Sequence, residues 1–82
     1  MSGAIHRGSD KRILQVLIEE GSFTYTALRL RMMQQKPYFT EVAVSMGTKS
    51  LLNKKQIVKT DELLSATDKG IEDYNKLFKK EV

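Results

Sequence analysis

The sequence predicts an α+β domain, mainly helical, with one small β-hairpin. The expected order is helix, short strand, helix, helix, hairpin, helix. Three observations carry this. Apolar residues recur at helical spacing in four segments. Gly21, Pro37 and Thr67-Asp68-Lys69-Gly70 punctuate those segments where helices stop and start. Two short β-prone runs flank Asp61-Glu62, a two-residue turn. With 82 residues the chain makes one domain with a modest core, and pairing with a second copy would add buried area.

Residues 1–8 are polar and bear glycines, and are expected to form a flexible tail. Ser9 is the expected N-cap of the first helix, with Asp10 complementing the helix dipole. Ile13, Leu14, Val16, Leu17 and Ile18 are too dense for a narrow stripe, so this helix is expected to be covered on more than one side. Gly21 ends it. Ser22-Phe23-Thr24-Tyr25-Thr26 fits a short strand or extended connector. In the second helix, residues 26–33, Ala27, Leu28, Leu30 and Met33 are expected inward and Arg29 on another face. Lys36-Pro37 breaks it, because the residue before proline is driven out of the helical region.

A third helix is expected over residues 40–53, capped by Thr40 with Glu41 in its first turn. Val44, Gly47, Thr48, Leu51 and Leu52 share one arc, and Ser45, Lys49 and Asn53 share another. Gly47 allows a neighbour to approach closely. The hairpin strands are Ile57–Thr60 and Leu63–Ala66, with Leu63 or Leu64 pointing inward. In the last helix, residues 68–80, Ile71, Tyr74, Leu77 and Phe78 form a stripe. Thr67 caps that helix, and Gly70 is expected to face a neighbouring element closely. Tyr25, Tyr38 and Phe39 abut helix boundaries and are assigned to the core, as are Met32, Met33 and Met46.

The net charge is +4 and unevenly placed. Residues 22–60 hold seven lysines and arginines against Glu41 alone, whereas residues 61–82 hold four lysines against six acids. A basic middle beside an acidic end suits a polyanion on one side. Enzyme readings find little support. His6 is the single histidine and no cysteine is present, so Ser/His/Asp triads are unattractive and thiolate zinc sites are excluded. Met46-Gly47-Thr48-Lys49-Ser50 lacks the glycine spacing of a phosphate loop. The sequence calls for no cofactor, metal or small-molecule ligand. No apolar run approaches the roughly 20 residues of a membrane span, and the N-terminus lacks a secretory h-region. A cytoplasmic, nucleoid-associated location is expected.

Leu52-Asn53-Lys54-Lys55-Gln56-Ile57-Val58, followed by Leu64-Ser65-Ala66-Thr67-Asp68-Lys69-Gly70, resembles the second half of winged helix-turn-helix regulators of the MarR and PadR type. Gln56 stands where those families usually have glycine, and the wing tip Asp61-Glu62 is acidic where they often carry arginine or lysine. The resemblance implies a winged-helix domain over residues 9–66 and a C-terminal helix over 67–82 available for dimerisation. It implies a homodimeric transcription regulator, most simply a repressor, with residues 40–53 in the major groove of double-stranded DNA. Thr40, Ser45, Lys49 and Asn53 would contact bases. Arg29, Arg31, Lys36, Lys54, Lys55 and Lys59 would contact phosphates, and Ile71, Tyr74, Leu77 and Phe78 would join the protomers. The alternative is a winged helix used for protein contact, as an adaptor or inhibitor, which the acidic tip and last segment favour.

Overall fold

The computed structural model describes residues 9–34 and 38–79, with side chains to residue 76. The expected tail, Lys36 and Pro37, and the side chains of Leu77 and Phe78 lie outside the described residues. The elements run α1 (Ser9–Glu19), β1 (Phe23–Thr24), α2 (Tyr25–Gln34), α3 (Glu41–Asn53), β2 (Ile57–Thr60), β3 (Leu63–Ala66) and α4 (Asp68–Lys79). This is an α+β protein in which the helices pack against a small antiparallel sheet of order β1-β3-β2.

The density of apolar residues in α1 has the expected consequence. Ile13, Leu14, Val16 and Leu17 are all buried, and α1 packs against α3, β3 and α4. Ser9 lies within α1 and is buried, so it is not a residue ahead of the helix. Its burial comes from the α1–α3 crossing. A Cβ on Gly47 would lie 2.9 Å from both Ile13 Cδ1 and Ser9 Oγ, so the missing side chain lets the two helices approach. Past α1 the chain turns at Gly21, whose φ of 106° is open to glycine at little cost.

Thr24 Oγ1 accepts a hydrogen bond from Ala27 N at 3.2 Å and caps α2. The inward stripe of α2 is Leu28 and Met32; Leu30 and Met33 are exposed, against expectation. Packing on β1 and α3 covers one side of this helix, which leaves room for a narrow i, i+4 stripe only. Tyr38 is also exposed, whereas Tyr25 and Phe39 pack on the core as expected. Helix α3 begins where the sequence places it, with Thr40 Oγ1 accepting from Ala43 N at 3.1 Å. It buries Ala43, Val44, Gly47, Thr48 and Leu51.

The hairpin matches its expected limits. Asp61 and Glu62 have φ of 50° and 71°, the left-handed pair that a two-residue turn needs to follow the strand twist. The register sets Ile57 opposite Ala66, Lys59 opposite Leu64 and Thr60 opposite Leu63. Ile57 and Leu64 are buried, whereas Val58 and Leu63 are exposed on the other face. On the inner edge, Phe23 of β1 pairs with Leu64.

One joint ties the end of α3, the start of β2 and the start of α4. Lys55 takes a φ of 63°, so the left-handed residue is Lys55 and Gln56 needs no glycine-like conformation. Gln56 O accepts from Thr67 N at 3.0 Å, and Thr67 O–H donates to Lys55 O at 2.7 Å. Thr67 Oγ1 also accepts from Gly70 N at 3.1 Å, capping α4. A Cβ on Gly70 would lie 2.0 Å from Gln56 O, so no larger residue fits against that carbonyl. Gln56 Nε2 donates to Asp73 Oδ2 at 2.7 Å, and Lys69 donates to the same oxygen at 2.9 Å. The Gln56 amide, then Lys69, hold the Asp73 carboxyl below its ordinary pKa.

Tyr74 is buried in the core of its own chain, and its O–H donates to the Glu19 carboxylate. This bond lowers the Glu19 pKa and raises that of Tyr74. Tyr74 therefore holds α4 to α1 and is not presented to a second chain. Ile71 is exposed on α4.

Candidate nucleic-acid interface

Because α3 turns about 100° per residue, burying Val44, Gly47, Thr48 and Leu51 fixes what the opposite side presents. That outward side carries Val42, Ser45, Met46, Lys49 and Asn53 at i, i+3, i+4, i+7 and i+11. Lys49 and Asn53 are exposed and Ser45 half-buried. Thr40 sits at the helix start, where its oxygen is engaged as the cap.

Two shallow grooves border this face. One is lined by Met46, Lys49, Ser50, Asn53 and Lys54. The other lies between α3 and the sheet, where Ser45 and Lys49 meet Lys59 over Tyr25, Leu52 and Leu64. Lys49 stands on the ridge between the two. Lys59 reaches α3 because register places it on the inward face of β2, opposite Leu64 and near the hairpin tip. The structure thus brings Ser45, Lys49, Asn53, Lys54 and Lys59 together around one helix.

The remaining cations are held differently. Arg29 pairs with Glu41 at 3.0 Å, at the start of α3. Arg31 pairs with Glu20 at the end of α1, away from the α3 grooves. This contact lowers the Glu20 pKa and raises that of Arg31. Lys54 lies 3.6 Å from Asp10, and Lys59 lies 3.7 Å from Glu62. These exposed pairs are long and weak, and yield readily to a competing anion. Among the described residues, Lys49 and Lys55 have no carboxylate within 4.0 Å.

Sequence reasoning missed Val42 and Met46. Both are exposed at the centre of the outward face, and Met46 is not core filler. The signal was present in the spacing, since residues 42 and 46 fall on the arc of Ser45 and Lys49. Their apolar character hid it. The floor of the sheet-side groove includes Thr48, whose buried Oγ1 has no hydrogen-bond partner.

Among the described residues, no helix is long and apolar enough to cross a membrane, and no group of His, Asp or Glu is placed to hold a metal ion. Comparison with protein-family models, curated proteins and solved structures finds no match for this chain.

Proposed function

We propose that this chain is a winged-helix protein that binds double-stranded DNA sequence-specifically and regulates transcription, as a repressor. On this reading α3 lies in the major groove and the β2–β3 hairpin is the wing. The observation that carries it is the outward face of α3: Lys49, without a carboxylate partner, stands between two grooves that also hold Ser45, Asn53, Lys54 and Lys59. Lysine and asparagine suit base edges, and the flanking lysines suit phosphates. The element order and the hairpin beside α3 support the winged-helix reading. A homodimer would set two such helices about 34 Å apart on a palindromic site, and exposed Ile71 is available to join the protomers.

Binding to random and palindromic duplexes across a salt series tests this. If Lys54, Lys55 and Lys59 each neutralise one phosphate, log K falls against log salt with a slope of about −2.7 per protomer. A flat response, or no binding at low salt, overturns the reading. Protein contact is the second reading, and the hairpin favours it. Asp61 and Glu62 are exposed at its tip, and Val58 and Leu63 share its outer, exposed face. A monomer indifferent to every duplex would select this second reading.

A further inference from the structure

We infer that Val42 and Met46 read thymine methyl groups, so that the chain selects T·A pairs by apolar contact from the first half of α3. The inference rests on the proposed docking of α3 in the major groove and names what that face selects. Val42 is 59% exposed and Met46 58%. They lie one turn apart on the outward arc of the helix, on either side of Ser45 in sequence. Two exposed apolar side chains one turn apart, with Met46 lining a groove beside Lys49 and Lys54, offer an apolar contact within a cationic setting.

Charge says which partner. Glu41, the acid of α3, is held by Arg29 at 3.0 Å, so the start of the helix presents no unopposed negative charge. One turn beyond Met46 the same groove carries Lys49, and Lys54 lies at its far end. The fitting surface is therefore negative and also offers small apolar groups at the depth of a helix side chain. The DNA major groove does both, because each thymine projects its C5-methyl beside the phosphate backbone. A docked recognition helix places its N-terminal residues against the base edges. Val42 and Met46 occupy that half of α3, and Lys49 and Asn53 follow along the same outward arc. Valine offers a rigid pair of methyls, and the unbranched thioether of methionine adapts to the adjacent step.

The test starts from a site selected out of a randomised duplex pool by the full chain. That site is resynthesised with uracil in place of thymine, one position at a time, which removes the methyl and leaves every hydrogen-bonding group. Wild-type affinity is expected to fall about fourfold at each methyl contacted, the factor that one buried methyl-sized group supplies. The double variant Val42→Ala/Met46→Ala is expected to bind thymine and uracil duplexes equally, with an unchanged salt slope and melting temperature. The inference is overturned if uracil costs nothing, if the loss persists in the double variant, or if the selected site fixes no T·A pair. Failure to select any sequence overturns the DNA-binding reading together with it, so the two failures are told apart.

Discussion

The glycine seams of this protein and the outward face of α3 are built on opposite principles. At the seams, close approach is the design: Gly47 sits under α1 and Gly70 under the Gln56 carbonyl, each leaving no room for a methyl group at van der Waals distance. On the outward face, Val42, Met46, Lys49 and Asn53 stand in solvent and contribute little to folding. The difference teaches where to look for each kind of effect. Seam substitutions change stability, and face substitutions change what is bound.

The largest effect expected is at Gly70. In Gly70→Ala the new Cβ meets a backbone oxygen that cannot move without breaking the Thr67 N–H bond. A loss of about 4 kcal/mol or more, seen as absence of a cooperative melt by circular dichroism, is expected. A near-wild-type melt would break the contrast. Next comes Lys49→Ala on the face. It is expected to lower affinity for a cognate duplex by about 1–3 kcal/mol and to relax specificity at the base it reads, with stability changed by under about 0.5 kcal/mol. If the melting temperature falls instead, Lys49 belongs to the scaffold.

Gly47→Ala sharpens the seam side. The alanine gains about 1 kcal/mol in helix propensity, but its Cβ lies 2.9 Å from Ile13 Cδ1 and Ser9 Oγ, and 3.1 Å from Asp10 N. Overpacking of this kind costs about 1–3 kcal/mol, so a net loss near 1 kcal/mol is expected in urea titration. Thr48→Val should go the other way. It replaces a buried hydroxyl that has no partner, and a gain of about 1 kcal/mol is expected. The smallest effect is on pH dependence. Glu19 and Asp73 are held below their ordinary values, by the Tyr74 O–H and the Gln56 amide respectively. Their contribution is present above roughly pH 4 and is lost as pH falls through the lowered values. Tyr74 is shifted upward, so its part is present below about pH 10 and lost as pH rises through the raised value. Tyr74→Phe should therefore flatten both limbs of a stability–pH profile measured by thermal melts.

Much of the fold was legible because local signals agreed. Thr40 as cap, the Asp61-Glu62 turn and Thr67 as cap all follow from chemistry within a few residues of the feature, and a glycine in the first turn of a helix announced the close contact at Gly70 without naming its partner. What stayed hidden depends on partners distant in sequence. Leu30 and Met33 look as apolar as Leu28 and Met32, and only the placement of α3 and β1 decides which pair is covered. The Arg31–Glu20 pair joins two helices, and nothing local foretells it. At the candidate interface, the spacing of Ser45, Lys49 and Asn53 gave their common face. Lys59 needed the strand register to join them, and Val42 and Met46 were obscured by residue type. The left-handed residue is Lys55, where the last turn of α3 ends, one position before the Gln56 that stands where the resembled families usually have glycine.

The joint at Lys55 and Gln56 has a mechanical consequence. Two consecutive carbonyls and one side-chain amide fasten α4 to the end of α3, and Gly70 leaves no clearance between them. The 12-residue α4 extends about 18 Å from that point, and Tyr74 fastens it a second time, to Glu19 of α1. With a joint at each place, α4 cannot swing about the end of α3 without breaking the Tyr74–Glu19 bond as well as the bonds of Thr67 and Gln56.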